Sequence, residues 1–397
     1  MPSISRLLYD RLVVLDERGM PQPGLAIAWH SDPGEQRWYF DLREDASFDD
    51  GTAAGSTAVA ASLRAANPGW KVVPSGNGIV IERDRAAPDL PAELALERNS
   101  IVKREAGRIL GSGSFRVRDW QPGRSLSLAA REDYWGGRAF LDAIEVVMGE
   151  DLEQQMLALS LGKADLIEVA AAPARATADN YRVEASPPIE LLALVFEHAA
   201  ANPQIAGLRR ALGLSLDRQA LSAGMLEGAG EPSGSLLPNW MTGYGFLFPS
   251  ASDLSAARAQ VAEQGKLPPW SLSYDDADPV LRLVAERLVL NARDVGLTVE
   301  LTRGAAELRL VRVTLASIAP RLALEQCLLA LGVPRQLAGD SVEQLYAAEN
   351  SVLQSEPVVP LLHLRQSIAV SNRVAPYHAS GDGSWPGPDL WLETDKP

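Results

Sequence analysis

At 397 residues, with 46% apolar and 22% charged side chains, the chain is long enough to build two or three domains with their own cores. Its 37 Lys and Arg against 51 Asp and Glu leave a net charge of −14, and no Lys/Arg-rich run breaks that acidity, which argues against nucleic acid as a partner. The single cysteine, Cys327, excludes an internal disulfide and a cysteine metal cluster, and no apolar run approaches the roughly 18 residues of a membrane-spanning helix.

The opening Met1-Pro2-Ser3-Ile4-Ser5-Arg6 has no basic segment leading into an apolar one, so no export signal is read there. The first third then reads as strands and turns. Trp38 to Leu42 alternates and is rich in β-formers, and Gly76-Asn77-Gly78 ahead of Ile79-Val80-Ile81 marks a hairpin return. Ser114 to Trp120 and Ser125 to Leu128 flank Gln121-Pro122-Gly123-Arg124, a turn joining two strands.

From about Glu150 the period changes. Leu152, Met156, Leu159 and Leu161 predict an amphipathic helix ended by Gly162, followed by a strand at Asp165 to Val169. Leu191 to Phe196 is a continuous apolar run suited to a strand buried on both faces. Ile205 to Asp217 reads as a helix, and a Gly/Pro-rich loop runs from Gly228 to Pro249. After Pro268-Pro269 the order is strand Trp270–Tyr274, helix Pro279–Asp294, strand Leu297–Leu301, strand Leu308–Thr314 and two further helices. Asp278 suits the helix cap, Pro279 its first turn and Gly296 its C-terminal stop.

Catalytic signatures are absent: no G-x-S-x-G, no H-E-x-x-H, no G-x-G-x-x-G after a strand. Gly162-Lys163 and Gly265-Lys266 are followed by Ala164 and Leu267 where a phosphate loop needs Ser or Thr. The four histidines, His30, His198, His363 and His378, lack metal-ligand spacing and read as ordinary hydrogen-bonded side chains. Cys327 lies in an apolar helical stretch and reads as a buried small hydrophobe. The chain is therefore not expected to be an enzyme and needs no cofactor.

Several segments, in order, resemble the extracellular solute-binding protein family 5, the dipeptide, oligopeptide and nickel-binding class of ABC importers. Leu8-Tyr9-Asp10-Arg11-Leu12-Val13 with Pro23 to Trp29 is similar to the family's opening "YDxLV…PgLAxsW". Trp38 to Arg43 through Phe48-Asp49-Asp50-Gly51 resembles "ytFxLRxxvxFhDG", and Gly111 to Phe115 stands at "GTGPF". Asp133-Tyr134-Trp135-Gly136-Gly137 matches "xxYWGG", Leu208 to Leu212 with Asp217-Arg218 resembles "vRqAlxxAiDR", and Pro357 to His363 resembles "apviPLyh".

The resemblance implies an α/β, two-lobed periplasmic-binding-protein-like fold of class II, with an extra β-rich domain inserted in the first lobe. Its expected parts are residues 1–12, 150–266 and 355–397 as a discontinuous lobe I, 13–149 as the inserted domain, and 267–354 as lobe III. It further implies a solute receptor that closes its lobes on a small-molecule or peptide solute, passes it to a membrane ABC permease, and acts as a monomer. Such a receptor is periplasmic or lipid-anchored. A second expectation, from another class, is a cytoplasmic sensor or regulatory domain that kept the fold and lost transport.

Two departures stand out. Family members open with an extra strand and a Pro-rich loop before "YDxLV", whereas this sequence starts at that element, so part of the pocket is expected to be missing or the chain to be a shortened relative. Peptide-binding members also carry an aromatic, Asp-containing stretch whose carboxylate pairs with the peptide ammonium. The corresponding stretch here, Leu310 to Pro320, holds no acid and no aromatic, so that anchor is expected to be absent.

The ligand-binding candidates are accordingly Glu190, a carboxylate before the buried strand that can replace the anchor; Trp240 and Tyr244, aromatics on the Gly/Pro-rich loop; and Arg312, Thr314 and Ser317, the polar side chains of the altered stretch. Each has a plain alternative: a surface ion pair for Glu190, hinge packing for the aromatics, solvent exposure for Arg312. Trp29, Trp38 and Trp135 read as packing residues.

Overall fold

The computed structural model describes residues 2–169, 177–178, 180–197, 203–264, 268–355, 358–375 and 377–393. His198 and the Gly265-Lys266 pair lie outside the described residues. The chain divides into two compact units, residues 1–167 with 317–322 and 370–397, and residues 168–316 with 323–369. No helix among the described residues is long and apolar enough to cross a membrane.

The first unit opens with helix α1 (Pro2–Leu8) and is otherwise β-rich. Strands β1 (Ala26–Ser31), β2 (Arg37–Leu42), β3 (Lys71–Ser75) and β4 (Gly78–Glu82) form an antiparallel sheet in the order β1-β2-β4-β3. Helix α2 (Ser56–Ala66) buries Val59, Ala60 and Leu63 in the same apolar core as Phe40, Ile79 and Ile81. The Gly76-Asn77 turn brings Ser75 opposite Gly78, as its composition predicts. A meander of β5 (Phe115–Gln121), β6 (Ser125–Ala130) and β7 (Ala143–Val147) makes a second sheet, with Gln121 opposite Ser125 across the Pro-Gly turn.

Helix α3 (Leu152–Ser160) starts on a reciprocal cap, Asp151 accepting from the Gln154 N–H while the Gln154 side chain accepts from the Asp151 N–H. Of its expected apolar stripe only Leu159 is buried, and Leu152 and Leu161 face solvent. Periodicity marks a helical face; it does not say whether anything covers it.

The second unit is a layered α/β structure. Strand β8 (Tyr181–Phe196), helix α4 (Pro203–Ser215), helix α5 (Leu254–Gln264), strand β9 (Trp270–Ser273), helix α6 (Pro279–Asp294), strands β10 (Val299–Thr302) and β11 (Leu308–Thr314), helices α7 (Pro320–Ala330) and α8 (Val342–Ser355), and strand β12 (Val358–Ser371) follow in sequence. Among the described residues the sheet contains the order β12-β8-β11-β9-β10. Its central strand explains the layers. Leu192, Leu194 and Phe196 enter one core with residues of α4, α5 and α6, while Leu191, Ala193 and Val195 enter the opposite core with α7 and α8. The continuous apolar run is thus a strand buried on both faces.

Helices α4 and α5 contribute Leu212 and Ala257 to the core that α6 and β9 also build.

Candidate functional site

Strands β9, β10 and β11 run parallel, so their C-terminal ends point to one side of the sheet, the side on which open α/β sheets bind ligands. Strand β8 runs antiparallel to β11 and places Glu190 opposite Thr314 on that side. Asp278, at the start of α6, joins them: its carboxylate caps the helix by accepting from the N–H groups of Val280 and Leu281, at 2.9 and 3.2 Å. Arg312 Nη2 donates to that same carboxylate, 3.1 Å from Oδ2, while Nη1 stands 3.7 Å from Glu190 Oε2. Glu190 Oε1 accepts from Gln366 Nε2 at 3.0 Å.

The carboxylate of Glu190, only 8% exposed, therefore keeps Oε2 without a hydrogen bond among the described residues, with one loose cationic neighbour that is held more closely by Asp278. Two carboxylates share one guanidinium, so Glu190, Asp278 and Arg312 together carry a surplus negative charge. Farther along the same side, a cavity of about 300 Å³ is lined by Tyr274, Asp276, Arg282, Leu301, Thr302 and Arg303. Arg303 pairs with the Asp276 carboxylate at 3.0 Å, and Arg282 donates to the Asp276 carbonyl at 2.6 Å.

The candidates read from the sequence fall in three places. Glu190, Arg312 and Thr314 are brought together, with Thr314 exposed. Trp240 is tied to the same strand, its indole N–H donating to the Pro188 carbonyl at 2.9 Å while the residue stays 41% exposed. Tyr244 lies in the core, its hydroxyl donating to Glu349 Oε2 at 2.9 Å and its ring packed edge-on to Phe248 and Tyr346. Ser317 belongs to the first unit, where its buried hydroxyl accepts from the Ala319 N–H.

Sequence reasoning missed Gln366 and saw Asp278 only as a helix cap. It also passed over Glu349, a fully buried carboxyl on α8. Nothing marks such an acid in a sequence beyond its place in the apolar face of a helix. Among the described residues no group of three or more His, Cys, Asp or Glu side chains is placed to hold a metal ion.

The short motifs quoted above are contacts within each unit. In the first, Asp10 accepts from the Tyr134 hydroxyl and the Trp135 indole N–H, both at 2.9 Å, and the Arg43 guanidinium stacks 3.8 Å over the Trp135 ring. Gly111 and Gly113 pass so close to α1 that an added Cβ would fall 1.9 Å from the Leu8 carbonyl oxygen and 2.3 Å from that of Leu7. In the second, the buried Arg218 donates to the carbonyls of Pro360, Gly213 and Ser250, and burial pulls its guanidinium down to about 10.

The sequence profile of the bacterial extracellular solute-binding proteins, family 5 Middle, matches residues 20–314. The probable D,D-dipeptide-binding periplasmic protein DdpA of Escherichia coli is 25% identical over 312 residues, covering 70% of this chain and 60% of that protein. The nickel-binding protein NikA of Staphylococcus aureus is 24% identical over 246 residues, covering 57% of this chain and 49% of its own. The matched stretches thus span between about half and three fifths of these curated relatives.

The fold extends further. The crystal structure of Staphylococcus aureus NikA in complex with Ni(L-His)2 superposes with a TM-score of 0.81 at 17% identity, covering 98% of this chain and 96% of that one. The Bacillus subtilis oligopeptide-binding protein AppA, in complex with a nonapeptide, gives 0.82 at 15% identity, covering 99% and 94%. The binding protein AgaA of A. tumefaciens R10, in complex with agropinic acid, gives 0.80 at 18% identity, again covering 99% and 94%. The expected α/β periplasmic-binding-protein fold with a β-rich section in the first part of the chain is the fold observed. The chain belongs to the bacterial extracellular solute-binding proteins of family 5.

Proposed function

We propose that this protein is the solute-binding receptor of an ABC importer, acting as a monomer in the periplasm or on a lipid anchor and delivering its solute to a membrane permease. Family membership supports the receptor role, and the ligands bound in the similar structures, a nickel–histidine complex, a nonapeptide and agropinic acid, support a small polar solute. The observation that carries the reading to this chain is the Glu190 carboxylate on the ligand side of the sheet, with Oε2 left without a hydrogen bond among the described residues and beside a surplus negative charge.

Such a group recognises a cationic or strongly donating group on the solute, taking over the task of the acid that Leu310 to Pro320 lacks. Thr314 supplies an exposed hydroxyl next to it and Trp240 an exposed ring for stacking, while Arg312 holds Glu190 and Asp278 in place. Tyr244 is assigned to seating the loop that carries Trp240.

A thermal-melt screen of the full chain against short peptides, opines, sugars, amino acids and metal–histidine complexes tests this reading. A solute at about 100 times its Kd adds about 2.7 kcal/mol, which moves the melting point of a domain this size by a few degrees. A hit with a basic group is the expected result. A cooperatively folded sample that responds to none of the panel counts against the receptor role.

A further inference from the structure

Leu236, in the Gly/Pro-rich loop, is gripped from two sides by buried ionisable side chains. Its N–H donates to Oε1 of Glu349, on α8, and its carbonyl oxygen lies 3.1 Å from Nε2 of His363, on β12. Neither side chain reaches water: Glu349 is 0% and His363 2% exposed. Around Glu349 stand the Leu237 N–H at 3.4 Å, the Tyr244 hydroxyl on Oε2, and the Cys327 thiol of α7, and no cation acts on it among the described residues. Across the strand pair from His363 is Glu231, whose carboxylate is committed to Arg365 at 2.6 Å.

Burial without an opposite charge favours the neutral form of each group. It pushes the Glu349 carboxyl up to about 7, against the donors that favour its anion, and pulls the His363 imidazole down to about 4.

We infer that Glu349 and His363 are a matched pair of positioning residues, buried neutral together, whose opposite proton exchanges make the seating of the Leu236 loop insensitive to acidity. When the loop leaves its seat and water reaches both groups, Glu349 releases a proton and His363 takes one up. From the ordinary carboxyl value of 4.5 to the ordinary imidazole value of 6.5 the two exchanges cancel, and opening has no pH slope. Above that window only the glutamate exchange remains, up to about 7, and below it only the histidine exchange, down to about 4. The same loop carries Trp240, bonded to Pro188 two residues before Glu190, so the pair keeps that ring in position across mildly acid surroundings. This device is independent of which solute is bound.

Urea unfolding of the full chain between about pH 5.0 and 6.5, for the wild type, Glu349→Gln, His363→Gln and the double variant, tests the pairing. Comparison with wild type at each pH removes the other titrating groups. As pH falls, the unfolding constant of Glu349→Gln relative to wild type should rise about tenfold per unit, and that of His363→Gln should fall about tenfold per unit. The double variant should run flat. Slopes of the same sign, or flat lines for both single variants, would overturn the inference. If a variant does not fold, the wild-type imidazole resonance of His363 decides: no titration above pH 5 supports the pair, and a midpoint near 6.5 overturns it.

Discussion

Trp135 donates its indole N–H to the carboxylate of Asp10, 125 residues earlier in the chain. Tyr134 donates to the other carboxylate oxygen, so the "YD" and "YWGG" segments, which look like separate landmarks in the sequence, are one hydrogen-bonded knot. Asp10→Ala leaves two donors without their acceptor in a half-buried site and should cost about 1–3 kcal/mol in urea unfolding. Burial raises the Asp10 carboxyl above its ordinary value, so the folded chain binds that proton more tightly than the unfolded chain. Its contribution to stability is therefore full in acid and falls as pH rises through that range, and the gap between wild type and variant should be widest at low pH.

The glycines of the Gly111-Ser112-Gly113 segment are required by close approach. A Cβ at Gly111 would overlap the Leu8 carbonyl, which is backbone and cannot swing aside. Gly111→Ala should cost more than about 2 kcal/mol. Gly69→Ala, where an added Cβ meets nothing within 4 Å, should change stability by less than about 0.5 kcal/mol. Equal effects in chemical denaturation would refute this account of the segment.

Asp278 has two roles, capping α6 and holding Arg312. Asp278→Ala should lose about 1–2 kcal/mol from the cap alone and leave Arg312 free to turn fully to Glu190. Asp278→Asn keeps a capping oxygen, so it should recover most of the stability while still weakening the hold on Arg312. Stability curves of the two variants, measured side by side, separate the roles.

Cys327 is the chain's single thiol, and it is buried against Leu324, Leu328 and Leu331. Burial, with the Glu349 carboxyl nearby, pushes the thiol well above the ordinary range. A thiol reagent should therefore label the native chain only as fast as it opens, and labelling should accelerate in step with unfolding as urea is added. Rapid labelling of the native chain would place Cys327 outside the core.

Much of the local structure was legible because its signals are local. The α6 helix runs from Pro279 to Asp294 with Asp278 as its cap, and β11 from Leu308 to Thr314, as composition and breakers predict. The apolar run at Leu191 to Phe196 gave the doubly buried strand, although its extension back to Tyr181 through Pro187 and Pro188 was not visible in that run. The site was legible only in part. Glu190 and Arg312 were reached through the family likeness, but the closer partner of Arg312, Asp278, stands 34 residues from it, and Gln366 stands 176 residues from Glu190. Nothing in the sequence singles out Glu349, and His363 reads as an ordinary histidine. Their pairing through Leu236 spans more than 100 residues, and only the packed sheet and helix layers bring them together.

The central claim is that Glu190 reads the solute. Its most direct test is equilibrium binding of a melt-screen hit to the full chain and to Glu190→Gln, with unfolding of both measured in parallel. Loss of the carboxylate should weaken binding at least about tenfold, equivalent to about 1.4 kcal/mol, while the unfolding curve stays within about 0.5 kcal/mol of wild type. Unchanged affinity in a folded Glu190→Gln chain would contradict it.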